Sequence, residues 1–423
     1  MTVGGLDPIA VGFNRVHVRL DEPFLPDVAG RVDEALAGCG VRLTPDTDVA
    51  IAVGSRGITD LSVVVGRVAA WVGAQGARPF LVSAMGSHGG ATAEGQRAVI
   101  EGYGLTKATL GFELRSSMEV IELPRDDCPL PVFTDAEASQ ASATIVVNRV
   151  KPHTDFHGPY ESGLVKMTAI GLGNRVQAEL LHAHGTRGLR ELTPRVAHQV
   201  LTHGNVALGV AIIENALEQT MAVEAVPAEK ILDAEPRLLE LARAHLPCLP
   251  VDELDVLVVD RMGKDISGVG MDTNVIGRIM IHGEPDAPRP RITMIACHEL
   301  TGASHGNACG MGLADVITKA FADAIDNEVT RTNIITSGFL LRGKLPLVAD
   351  DDRHAWELCL RGAGVVDPTS VRAMRIVDTL HCADAWVSDA LLPEVANDER
   401  VTVVRRGLQL HDEGGALTPF ETS

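Results

Sequence analysis

Short runs of β-branched residues alternate with amphipathic stretches of helical length, and this alternation constrains the fold most. VAIAV (49–53), PFLVSAM (79–85), ATIVVNRV (143–150) and VALGVAII (206–213) read as strands. Helices are predicted from about Pro26 to Gly38, Thr59 to Gly73 and Ala93 to Tyr103, where apolar residues recur at helical spacing. Strands alternating with helices of about 10–15 residues build a parallel, helix-covered sheet. A helix at 228–244 runs into LPCLPVDE, whose two prolines mark a boundary. The pattern then restarts with LDVLVVD (254–260) and RITMIAC (291–297), helices near 312–326 and 352–362, and a late strand VTVVRRGLQL (401–410). A chain of 423 residues is too long for one ordinary core. The expected class is therefore α/β, with two α/β domains, 1–250 and 251–423, on parallel or mixed sheets.

Charge narrows the partners. The net charge of −19 repels phosphate backbones and anionic lipid, so neither nucleic acid nor a membrane surface is expected. An anionic substrate would need local cations against that field. Aromatics at 3% leave few rings for base stacking. The seven cysteines show no CxxC and no regular spacing, so most are expected as small core residues, Cys39 and Cys359 among them. The N-terminus lacks a basic, then apolar, leader pattern, and no apolar run reaches the roughly 18 residues of a membrane helix. A cytoplasmic enzyme is the expectation.

The strand ends carry the chemistry. VAIAV leads into Gly54-Ser55-Arg56-Gly57, PFLVSAM into Gly86-Ser87-His88-Gly89-Gly90, and ATIVVNRV into Lys151-Pro152-His153-Thr154-Asp155-Phe156-His157-Gly158. LDVLVVD leads into Arg261-Met262-Gly263-Lys264-Asp265. Ligands of open parallel sheets bind beyond the carboxyl ends of strands, so these loops are expected to share one site. The segment 151–185 is densest, with His153, His157, Lys166, His182 and His184. Lys166 lies in the apolar frame Leu164-Val165-Lys166-Met167, where a lysine can lose its charge and become a nucleophile or an anchor; a surface lysine lying along its apolar stem is the bland alternative. There is no HExxH, no GxxxxGK[ST], and Gly268-Val269-Gly270 lacks the third glycine of a dinucleotide loop. His298, His305 and Cys309 have no standard metal spacing.

SRGI (55–58), AMGSHGGATAEGQ (84–96), NRVKPHTDFHG (148–158), ESGLVKMTAIGLG (161–173) and GKDISGVGMDTNVIGR (263–278) resemble the lactate racemase family. The 148–173 block is the most specific. The resemblance implies a cofactor-binding N-terminal domain and a C-terminal α/β domain, with an interdomain active-site cleft. It implies a nickel pincer nucleotide (pyridinium-3,5-bisthiocarboxylic acid mononucleotide), made by separate cofactor-synthesis enzymes and held covalently on a lysine. The implied reaction is racemisation or epimerisation of a small anionic 2-hydroxy acid, an isomerase activity that takes hydride from the 2-carbon and returns it to either face. Carried over by motif, Lys166 resembles the cofactor-bearing lysine and His182 the single protein ligand to nickel. His88 and His153 resemble the paired acid and base, and Arg56 and Lys264 the cations that hold the substrate carboxylate. Gly86, Ser87 and Gly89 fall in a cofactor-binding loop.

The chain departs from that pattern in two places. No acidic residue precedes Arg56 in its turn, and the stretch from His153 to Lys166 is longer than in the lactate enzyme. His157 therefore stays an alternative to His153, and His184 to His182. A redox enzyme or lyase using the same cofactor is one alternative reading, and a non-catalytic metabolite-binding module another. A pair of histidines set as acid and base argues against the last.

Overall fold

The computed structural model describes residues 11–20, 22–55 and 57–420. The first strand, β1 (Gly12–Val18), leaves its sequence neighbours and enters a sheet formed by the end of the chain. The chain divides into two compact units, 22–245 and the N-terminal segment with 246–423. The boundary expected at 250 left β1 on the wrong side. Its burial explains the placement: Phe13 and Val16 are fully buried, and Phe13 packs edge-on to Trp356 at 5.9 Å. Asn14 donates to Asp389 at 2.7 Å within the same sheet.

Unit 22–245 holds a six-stranded sheet. Its strands are β2 (Asp48–Val53), β3 (Arg78–Ser83), β4 (Leu114–Arg115), β7 (Ala143–Arg149), β8 (Val206–Glu214) and β9 (Thr220–Pro227); β5 (Val120–Leu123) and β6 (Val132–Asp135) form a separate hairpin pair. The order is β4-β3-β2-β7-β8-β9, parallel except for β9. Alternation along β2 sorts its side chains onto two faces. Val49, Ile51 and Val53 join the core under the helices Val28–Gly38 and Leu61–Ala74. Ala50 and Ala52 face the opposite core, with Leu164, Val165 and Met167. Val53 lies level with both Ser83 and Val147, so the carboxyl ends of β2, β3 and β7 stand side by side.

Unit 246–423 holds β10 (Glu253–Met262), β11 (Arg291–Leu300), β12 (Val316–Thr318), β13 (Leu347–Ala349), β14 (Ala373–Ile376), β15 (Asp384–Ser388) and β16 (Val401–Gln409). The order is β13-β12-β11-β10-β14-β15-β1-β16, parallel from β13 to β14 and antiparallel beyond. The helix expected near 312–326 is β12 followed by the helix Lys319–Asp323. A strand of three residues is too short to show a period in sequence. Thr318 marks the junction, accepting the Phe321 N–H and donating to the His298 carbonyl.

The cysteines are free thiols, and Cys128, Cys297, Cys309, Cys359 and Cys382 are buried. Burial pushes the Cys359 thiol up to about 12, so it stays protonated and inert. Cys39 is only half-buried. Among the described residues, no helix is long and apolar enough to cross a membrane.

Candidate active site

Lys166 sits at the start of an irregular helix. After the turn Leu164–Lys166 the chain widens into a π-helical turn, Met167–Gly171, in which the Leu172 N–H reaches back five residues to the Met167 carbonyl at 2.9 Å. Such turns break the regular ladder and often lie at functional sites. Asn174, at φ +50°, then redirects the chain into the helix Asn174–His182. Sequence periodicity shows neither break.

The centre of the site is a contact between two predicted residues. The Lys166 amine lies 2.7 Å from His153 Nε2. His153 Nδ1 lies 3.1 Å from the Asp155 N–H and 3.6 Å from the Asp155 carboxylate, so the ring can donate to the amine or accept from it according to its tautomer. Phe156 stacks on the ring at 4.8 Å.

A fully buried carboxylate organises the His153 loop. Glu161 accepts the His153 N–H at 2.6 Å and the Gly158 N–H at 2.9 Å, and pairs with Arg243 at 2.9 Å. His157 Nδ1 stands 3.4 Å from the same carboxylate. His157 thus belongs to the frame of the loop, while His153 faces the lysine. Lys151 and Ser162 bridge the loop at its base.

His182 ends its helix and is exposed. Protein crowding around the ring lowers its pKa below the usual 6.5. The Lys166 charge, when that amine is protonated, lowers it further, against a smaller pull from Asp155. The shift favours the neutral imidazole, the form that ligates a metal. His184 lies beyond the helix end and is exposed as well. Among the described residues, no group of three or more His, Cys, Asp or Glu could hold a metal ion.

The loop after β3 carries His88, whose Nδ1 hydrogen-bonds Ser55 Oγ at the end of β2. Fully buried Gln96 clamps this loop, donating to the carbonyls of Gly86 at 3.0 Å and His88 at 3.4 Å. Gly89, at φ +64°, has no room for a Cβ, which would stand 2.7 Å from the Gln96 nitrogen. Ser87 and His88 are exposed. The Gly86 N–H donates to the Gly171 carbonyl at 3.3 Å, tying this loop to the π turn. Tyr103 donates to the Ser55 carbonyl at 2.6 Å. The ends of β2 and β3 therefore join through Ser55 and His88, and the β3 loop is tied to the π turn that follows Lys166.

Arg56 lies outside the described residues. Lys264 belongs to the other unit, where its ammonium donates to the carbonyls of Gly268 at 2.8 Å and Cys309 at 3.3 Å. The glycines near Lys166 lie close against other parts of the protein. A Cβ at Gly163 would meet the Glu235 carboxyl at 2.6 Å, and one at Gly171 the Ala84 carbonyl at 2.7 Å. Sequence reasoning missed Glu161, Glu235 and Gln96. Glu161 and Gln96 sit inside the quoted motifs, but only their burial reveals a role. Glu235 carries no sequence signal at all.

No family model and no curated protein sequence matches the chain. A solved structure does. The lactate racemase apoprotein from Thermoanaerobacterium thermosaccharolyticum aligns with a TM-score of 0.50, covering 86% of this chain and 93% of that chain at 10% sequence identity. At that identity the likeness is one of fold. The α/β fold of this chain is that of lactate racemase.

Proposed function

We propose that the chain is a racemase or epimerase of a small 2-hydroxy acid that uses a nickel pincer nucleotide. The observation that carries this reading is the Lys166–His153 contact at 2.7 Å. A thioamide anchor requires an uncharged amine, and an imidazole at hydrogen-bond distance can take the ammonium proton. The donor set fits the group in a second respect, because a pincer fills most of a square-planar nickel site and leaves one place for a neutral imidazole such as His182. When bound, the cofactor supplies a hydride acceptor. The chain's own groups do the rest. His153 and His88 are the proposed acid and base at the substrate hydroxyl, with Ser55 orienting the His88 ring through Nδ1. Arg56 is proposed to hold the substrate carboxylate by charge-assisted hydrogen bonds.

The test is to produce the protein alongside the cofactor-synthesis enzymes. The peptide containing Lys166 should gain the cofactor's mass, and the protein should bind nickel. A panel of chiral 2-hydroxy acids deuterated at C2 should include one that loses optical purity while keeping its deuterium. Nickel-loaded, active protein with an unmodified Lys166 overturns the covalent assignment. Loss of deuterium to solvent overturns hydride return. His182→Ala should lose nickel while His184→Ala keeps it.

A further inference from the structure

The helix Ile231–Ala244 lies behind the site and touches it at three points. Near its start, the Leu232 carbonyl accepts the Tyr160 hydroxyl at 3.0 Å. That carbonyl is available because Pro236, four residues on, has no N–H to donate. Near its end, Arg243 holds Glu161, which holds the His153 backbone. Between them, Glu235 is buried with 1% of its surface exposed. Its Oε2 accepts the Val165 N–H at 2.7 Å, and the neighbouring Leu164 N–H also favours the charged carboxyl. These N–H groups open the turn that carries Lys166, where an intrahelical partner is absent by construction. No side chain of that turn's own N-cap, Gly163, can supply an acceptor. Glu235 therefore caps the Lys166 turn from another helix.

The geometry of Gly163 is built around this contact. Its φ of −165° is open to any residue, so the backbone does not demand glycine. Space does, since a Cβ would lie 2.6 Å from Glu235 Oε1. The Gly163 carbonyl is fixed in turn by Asn148 Nδ2 at 2.9 Å, from the end of β7. Oε1 has no hydrogen-bond partner among the described residues, so this carboxyl is kept at a desolvation cost that packing alone does not explain.

We infer that Glu235 is a positioning residue: through the N–H groups of the Lys166 turn, it sets where the lysine stands relative to His153. The inference rests on the proposed role of Lys166, but its test needs no cofactor. Lys166 in the full chain is acylated with a water-soluble acetylating ester, and its rate is read by peptide mass spectrometry against exposed Lys107. Losing the cap should free the turn and raise the relative Lys166 rate about fivefold in Glu235→Leu. Glu235→Gln keeps an acceptor for the Val165 N–H and should stay within about twofold of the parent. Gly163→Ala retains the carboxyl but displaces it, and should reproduce the Glu235→Leu rise; it serves if Glu235→Leu does not fold. Unchanged relative rates in the leucine or alanine variant overturn the inference, as does a glutamine variant that behaves like leucine. Failure to load cofactor would instead strike the proposed function and leave this result standing.

Discussion

The two units share a parallel core with cationic and imidazole groups near strand ends, yet they use those groups differently. In 22–245, the polar groups meet one another: Lys166 meets His153, and His88 meets Ser55. In 246–423 they are consumed as internal ties. Arg261 pairs with Asp378, Arg375 with Asp260, and His298 with Asp352, while Lys264 ties its own loop. The difference lies in the partners: other reactive groups in 22–245, structural acceptors in 246–423.

The sharpest way to break this comparison is to remove groups on each side. Lys166→Ala should abolish cofactor attachment and lower turnover by at least about a thousandfold, and His153→Ala should cost roughly 10²–10⁴ in turnover. Measured on loaded enzyme, retained activity in either variant would erase the distinction between the units.

A second comparison concerns protons, with smaller effects and opposite signs. Burial pushes Glu235 up to about 7 from 4.5, although the Val165 and Leu164 N–H groups resist. The native state therefore binds a proton that the unfolded chain releases, and this group's contribution falls as pH rises from 4.5 to 7. Burial, then the nearby His298 charge, lowers His411 to about 4 from 6.5. There the unfolded chain binds the proton, so stability falls as pH drops from 6.5 to 4. Each effect is on the order of 3 kcal/mol at most. Unfolding midpoints measured from pH 4 to 8 should show Glu235→Gln flattening the loss on the alkaline side. His411→Leu should flatten the loss on the acid side. The same pH profile in both variants would refute the opposition.

The smallest effect separates local tie from chemistry at Lys264. Lys264→Ala removes two charge-assisted hydrogen bonds and should lower stability by about 1–2 kcal/mol. Urea unfolding of the chain without cofactor checks this. No change in stability would mean that the loop does not need its lysine.

Much of the site was legible because glycine and histidine follow directly on β-branched runs. VAIAV and PFLVSAM end within two residues of the observed β2 and β3. The hidden parts have physical causes. β1 pairs with strands about 370 residues away, and no local pattern encodes such a partner. Glu235 occupies what reads as the polar face of an amphipathic helix, and its burial follows only from the packing of Gly163. The placement of His182 against His184 turned on where a helix stops, which is the least readable property of a helix.

Pro236 gives the helix behind the site a fixed rotational phase, because the carbonyl it leaves open is engaged by Tyr160. Glu235 and Arg243 are eight residues apart, roughly 12 Å along a helix axis. That spacing works as a gauge between the lysine turn and the histidine loop. One inserted residue between them would swing Arg243 by about 100° and carry it off Glu161. Length variation in descendants of this chain should spare the stretch between Glu235 and Arg243.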